Sequence, residues 1–250
     1  MGIIIKSERE VALMRRAGRI LGTVLQELKL KLKPGMKTAE LDILADTMLR
    51  KMGAEPSFKG YRGFPASVCV SVNEEIVHGI PGERVLIEGD IVSLDLGDIV
   101  EGFQADSALT AGVGQISQEA ASLIAATDGA LTAGIAAARP GNRLGDIGAA
   151  VQNYAESRGY SVVREYAGHG IGQSMHEDPS VPNYGRPGSG LILRKGMTLA
   201  LEPMLNVGTW RTKVGADAWT VSTADGKLSA HAEHTIAITD GEAEVLTLAR

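Results

Sequence analysis

The chain has 250 residues, 44% of them hydrophobic and 22% charged, with a formal net charge of −5. That balance is ordinary for a globular chain with a sizeable core, and it excludes the strongly basic surface of a nucleic-acid binder, so no specific nucleic-acid partner is expected. Cys69 is the only cysteine, which rules out an internal disulfide and suits a reducing compartment.

The start, Met1-Gly2-Ile3-Ile4-Ile5-Lys6, has too short an apolar run for a signal peptide. No stretch reads as approaching the ~18 apolar residues of a membrane span. A cytoplasmic protein without a membrane partner is the expectation. Ser7-Glu8-Arg9-Glu10 is a capping box opening a helical pattern to about Leu32, which Pro34-Gly35 ends. Thr38 is the predicted cap of a second helix carrying Leu41, Leu44, Met48 and Leu49. Loops rich in Gly and Pro run from Gly53 to Pro65. Strand-like runs follow at Ala66 to Val72, Ile91 to Leu96 and Gly102 to Thr110. The second half repeats the order: a helix from Ser117 to about Arg139, a stop at Pro140-Gly141, and a helix from Arg143 to Arg158. Strands are then predicted at Thr198 to Glu202, Ala218 to Ser222 and Glu233 to Thr239.

The repetition extends to sequence. Leu32-Lys33-Pro34-Gly35-Met36-Lys37 resembles Ala138-Arg139-Pro140-Gly141-Asn142-Arg143, and Gly89-Asp90-Ile91-Val92-Ser93-Leu94-Asp95 resembles Gly196-Met197-Thr198-Leu199-Ala200-Leu201-Glu202, at offsets of 106 and 107 residues. Such matches in the same order suggest a duplicated α/β unit, with halves of about 1–110 and 117–250 in one catalytic domain over 1–250.

The placement of acids points to chemistry. Strand side chains alternate between faces. Val92, Leu94 and Leu96 share one face, while Asp95 shares the other with Ser93 and Gly97. Glu202 joins Thr198 and Ala200, opposite Leu199 and Leu201. Asp106 joins Gln104, Ala108 and Thr110; Glu233 lies opposite Ile236 and Ile238. Four carboxylates would thus line a cavity floored by small residues. They would repel one another unless protonated or neutralised by cations. Gly168-His169-Gly170-Ile171-Gly172 is an unusual setting for a histidine, since its glycines permit unusual backbone angles and close approach of a ligand. His176-Glu177 follows, and His78 sits in the turn-like segment His78-Gly79-Ile80-Pro81-Gly82.

With these segments assembled, the chain resembles the type I methionyl aminopeptidase family. The resemblance rests on Gly63-Phe64-Pro65 through Cys69, Ser71-Val72-Asn73-Glu74 through His78-Gly79-Ile80-Pro81, and Asp95 with Asp106. It continues in Gly168 to Gly172, His176-Glu177 with Pro179, Glu202-Pro203-Met204 and Glu233-His234-Thr235. It implies the pita-bread fold, an α/β (α+β) architecture of two pseudo-symmetric halves around a central, mainly antiparallel sheet. It implies two divalent metal ions: Asp95 chelating one, Asp106 and Glu233 bridging both, His169 and Glu202 completing the other. Such a ligand set suits Mn²⁺, Fe²⁺ or Co²⁺. The implied reaction is removal of the first methionine from nascent polypeptides with a small second residue, by attack of metal-activated hydroxide on the scissile carbonyl. Glu202 would also move a proton to the leaving amine, and His78 and His176 would stabilise the oxyanion and position the amide. The methionine pocket would comprise Tyr61, Phe64, Cys69, Met175 and Trp219.

Gln104 and Met175 depart from residues common in the family, and His231 is expected near the outer edge of the metal site. His234 should face away from Glu233. No N-terminal extension is expected ahead of the Ser7 helix, and a transient ribosome contact is then expected to use the catalytic domain itself, through Lys29, Lys31, Lys33 and Lys37. A monomer is expected. Two alternatives remain open: a catalytically inactive pita-bread binding protein, and a proline-specific peptidase of the same fold.

Overall fold

The computed structural model describes residues 2–249; Met1 lies outside them. Helix α1 spans Glu8–Lys31. Its capping box forms as expected: Glu10 N–H donates to Ser7 Oγ at 3.4 Å, and Ser7 N–H donates to Glu10 Oε2 at 2.7 Å. Acids occupy its first turn and Lys29 and Lys31 its last, complementing the helix dipole. Helix α2 is Thr38–Lys51, α3 Gln118–Ala137 and α4 Leu144–Glu156.

Thr38 is not the cap of α2. Lys37 holds that position, and its N–H donates to Glu40 Oε1 at 2.8 Å. The Thr38 hydroxyl instead donates to Gly82 O and accepts from Gly82 N–H, at 3.1 and 2.8 Å, because the approach to α2 pairs with residues 82–86. The apolar-run expectation also needs amending, since α3 is long and apolar enough by composition to cross a membrane, with a hydropathy of 1.4. Here Ala120, Leu123, Ala126 and Ala130 of α3 are buried among Val151 and Ala155 of α4 and Leu205 and Ala230 of neighbouring strands.

Nine strands form one antiparallel sheet. Its order is Glu55–Pro56, Ile91–Val100, Phe103–Gly112, Glu233–Ala237, Thr198–Leu201, Gly168–Gly170 and Glu177–Val181. Val68–Val72 pairs with Ile91–Val100, and Glu244–Val245 pairs with Glu233–Ala237. The alternation read from sequence holds. Leu94, Leu96 and Ala105 lie in one core cluster with Leu21, Leu25 and Leu41 of α1 and α2. Leu199, Leu201 and Ile236 lie in a second, with Leu131 of α3 and Ile147 of α4.

Strand ends differ from expectation where side chains capture the backbone. Val68 opens its strand, not Ala66, because Ser67 N–H and Oγ donate to Asp42 and Asp46 of α2. The Ala218–Ser222 strand is instead Val221–Thr223. Asp217 Oδ1 accepts from Trp219 and Thr220 N–H at 3.0 and 2.9 Å, and Ala218 has φ +62°, so this segment turns.

Candidate active site

Strand register brings the acids together. Cys69 pairs with Asp95, Asp95 with Ala108, and Ala108 with Glu233, making one row across three strand junctions. The adjacent row runs from Gly97 to Asp106, then to Thr235, Ala200 and His169. The Thr235 hydroxyl accepts from Asp106 N–H at 2.9 Å and donates to Asp106 O at 2.8 Å, tying two acid-bearing strands together. Ala108, Ala200 and Gly97 keep the floor low between the longer side chains. Glu202 follows directly after Thr198–Leu201, its carbonyl accepting from Asn183 Nδ2 at 3.0 Å.

The glycines beside His169 serve close packing rather than unusual backbone angles; neither has a positive φ. A Cβ on Gly168 would stand 2.3 Å from Ala200 O, and one on Gly170 would stand 2.2 Å from Asp178 O. Gly170→Ala must therefore push its strand from its neighbour and carry His169 along. We expect a loss of about 1–3 kcal/mol, as for other overpacked interiors, read as a lowered thermal midpoint together with weaker metal uptake.

All twelve residues singled out above for metal, catalysis or the methionine pocket line one cavity of about 140 Å³. Asp95, Asp106, Glu202, Glu233 and His169 meet on its floor. Tyr61, Phe64, Cys69, Met175 and Trp219 form an apolar wall, with Phe64 and Trp219 edge to face at 5.2 Å. The His78 ring stands edge-on to Trp219 and to Tyr166. His176 Nδ1 lies 2.9 Å from Tyr61 Oη, and its ring centroid lies 4.2 Å from that of His169.

Sequence reading missed two lining residues, Phe58 and Arg62, and also Tyr166 behind His78. Arg62 could have been found by adjacency, between Tyr61 and Gly63; Phe58 and Tyr166 carry no local signal. Gln104 bonds Ser57 and the Gln173 carbonyl, away from the acids. His231 Nε2 lies 3.9 Å from carboxylate oxygens of both Glu202 and Glu233. It occupies a separate strand, Ser229–His231, because the backbone changes sheet at Ala232. His234 faces the other way, its Nδ1 2.8 Å from Thr247 Oγ1.

Burial dominates the electrostatics. It pushes Asp95, Glu202 and Glu233 well above the carboxylate range, reinforced by their mutual repulsion and Asp106, and lifts Asp106 to about 7. Burial lowers His169 and His78; His176 falls to about 4, with help from His169 and Arg62. The Cys69 thiol is pushed up by burial and then by Asp95, so it is no activated nucleophile.

These residues fit divalent cations. One oxygen each of Asp95, Asp106 and Glu233 is buried without a hydrogen-bond partner, an arrangement that is costly unless something fills it. Ligand atoms of Asp106, His169 and Glu233 lie within 4.8 Å of one another. His169 Nε2 stands 3.7 Å from both Asp106 Oδ2 and Glu202 Oε1. Four acids and one imidazole form a donor set for hard or borderline divalent ions.

Comparison with known proteins agrees with this chemistry. Residues 12–240 match the model of metallopeptidase family M24. The chain is 55% identical to a methionine aminopeptidase of Clostridium acetobutylicum, covering 98% of this chain and 99% of the relative. It is 53% identical to methionine aminopeptidase 1 of Bacillus subtilis, covering 98% and 99%. The crystal structure of methionine aminopeptidase from Rickettsia prowazekii superposes with a TM-score of 0.97 at 42% identity, covering 99% of this chain and all of that one. A mixed α/β fold around an antiparallel sheet, a buried cluster of side chains able to hold a metal ion and whole-length likeness all agree: the chain belongs to metallopeptidase family M24, among its type I methionyl aminopeptidases.

Proposed function

We propose that this chain is a metal-dependent aminopeptidase that removes the first methionine from polypeptides. The observation that carries the reading is a cavity in which four acids and His169, three of them close enough to share one ion, lie beside an apolar wall. Asp95, Asp106, His169, Glu202 and Glu233 would hold two divalent ions, Mn²⁺, Fe²⁺ or Co²⁺. Bound ions would supply an acidified water and polarise the scissile carbonyl, aminopeptidases being among the standard cases of this two-metal chemistry.

The chain's own residues do the rest. Tyr61, Phe64, Cys69, Met175 and Trp219 enclose the methionine side chain and exclude water, giving modest discrimination against smaller aliphatic residues. His78 and His176 are neutral near pH 7, since burial lowers both. Each can therefore donate one hydrogen bond to the scissile amide without adding charge. The Tyr61 hydroxyl fixes the His176 ring through Nδ1 and leaves Nε2 available. Glu202, within 3.7 Å of His169 Nε2, carries the proton towards the leaving amine. Substrates with a small second residue fit best.

Under the same reading, nascent chains are the substrates, and the protein works as a cytoplasmic monomer. A transient ribosome contact would fall to Lys29, Lys31, Lys33 and Lys37, the last in an exposed ion pair with Glu83. Residues 1–250 form one catalytic domain of duplicated halves. In support, the bridge Lys37 to Val85 recurs as Arg143 to Ile192. Likewise, Leu86 N–H to Met36 O recurs as Leu193 N–H to Asn142 O, both at 2.8 Å.

Calorimetric titration of metal-stripped protein with Mn²⁺ under anaerobic conditions tests the ligand assignment. Two sites are expected in the wild type, and fewer or weaker sites in Asp95→Asn. Full two-site binding in that variant would remove Asp95 from the set.

A further inference from the structure

One buried ion pair stands beside the site and has no part in the chemistry above. Lys6 Nζ bonds the Glu177 carboxylate, with the two side chains only 3% and 7% exposed. Lys6 belongs to the segment ahead of α1, and Glu177 directly follows His176. Residues 171–176 join the Gly168–Gly170 strand, which carries His169, to the Glu177–Val181 strand. They therefore set where His176 stands.

The pair encloses this connection. The Lys6 side chain crosses Gly172 so closely that a Cβ there would lie 2.5 Å from Lys6 Cε and 2.5 Å from Glu177 Oε1. Lys6 Nζ bonds Glu177 Oε2, and Oε1 accepts Ser174 N–H at 3.3 Å, while Gly172 N–H donates to Ser174 O at 3.1 Å. The loop is thus wound about the Glu177 carboxylate. The ammonium is anchored in turn: Nζ lies 3.4 Å from Ile4 O, and Lys6 N–H donates to Gly196 O at 2.7 Å, next to the Thr198–Leu201 strand. A buried carboxylate without its partner is left uncompensated, which favours its leaving the interior. Leaving would drag the adjacent His176 from Tyr61 and His169.

We propose that Glu177, kept buried by Lys6, is a positioning clamp for His176, fixing the 171–176 loop through its acceptor oxygen so that the imidazole meets the scissile amide. This rests on the role given to His176 above. Lys6 and Glu177 are positioning residues and touch no substrate.

Four variants test it in the metal-loaded enzyme. Lys6→Met alone leaves a buried charge unpaired, so both thermal midpoint and kcat should fall. The double variant Lys6→Met/Glu177→Met removes both charges, and its midpoint should recover, since apolar replacement of a buried pair is often neutral or stabilising. It also removes the acceptor for Ser174 N–H. Its kcat should stay about ten- to a hundredfold low with KM little changed, the size of effect that a misplaced group produces. Lys6→Met/Glu177→Gln keeps an acceptor oxygen and should regain most of kcat. Hydrogen exchange at residues 172–176 should rise in the Met/Met variant and return towards wild type in the Met/Gln variant. A Met/Met variant with wild-type kcat and unchanged exchange would overturn the clamp. His176→Ala separates the two readings: if fully active, it removes the role of His176, and loop exchange alone then decides whether the pair shapes the loop.

Discussion

Asp106→Asn and Glu233→Gln should each lower kcat by about a thousandfold or more, a barrier increase on the order of 4 kcal/mol. Both substitutions preserve shape and remove one negative charge from the floor of the site. Asp106 is held through its backbone by the Thr235 hydroxyl, so the amide should occupy the carboxylate's place without disturbing the sheet. What is lost is the charge that would bridge two cations. Removing one of four clustered, buried carboxylates also relieves strain in the metal-free protein, because burial pushes all four upward and neighbouring acids add to it at Asp95, Glu202 and Glu233. The variants should therefore be at least as stable as wild type without metal while being nearly inactive with it. Steady-state kinetics at saturating Mn²⁺, beside thermal denaturation of the metal-free proteins, checks both halves. Activity within tenfold of wild type would contradict the bridging role.

Asp98→Val should stabilise the protein by about 1–3 kcal/mol, the usual cost of a buried polar group left unpaired. Asp98 is fully buried, and neither carboxylate oxygen has a hydrogen-bond partner. It pairs with Ala105 and Pro56 in the sheet and shares the helix-facing side of its strand with Leu94 and Leu96. Burial, and secondarily Asp106, pushes its carboxyl well above the carboxylate range. Below the unfolded value, near ~3.9, both states hold the proton and this group imposes no pH dependence. Above it the unfolded chain releases the proton while the folded chain keeps it, so stability falls as pH rises towards the folded value. The gain from Asp98→Val should therefore be larger at pH 8 than at pH 4. Urea denaturation at the two values measures it; a variant less stable at both would show that Asp98 has a partner worth keeping.

Much of the site was legible because strand alternation is a strict rule. Asp95 opposite Val92, Leu94 and Leu96 placed that acid away from the helices, and the same reasoning placed Asp106, Glu202 and Glu233. Identifying which acids share a floor needed cross-strand register, and register depends on pairing between distant segments. The repeat of Pro34-Gly35 and Gly89 to Asp95 in the second half foreshadowed paired bridges that recur at the same offsets. Features lying off any single strand or helix stayed hidden. Lys6 and Glu177 are 171 residues apart, so no local pattern joins them. Asp98 lies beyond the strand predicted at Ile91 to Leu96, whereas Ile91–Val100 continues through it and buries it. Thr38 and Asp217 show the local limit. Each has a side chain able to cap a turn, and only the packing decides which backbone groups it meets.

The most direct test of the central claim is methionine release by the metal-stripped protein, assayed anaerobically on Met-Gly-Met-Met and on the same peptide with leucine first. Release from the methionine peptide should appear only when Mn²⁺, Fe²⁺ or Co²⁺ is restored, with the leucine peptide much poorer. A folded protein that releases no methionine with any of these ions would contradict the account.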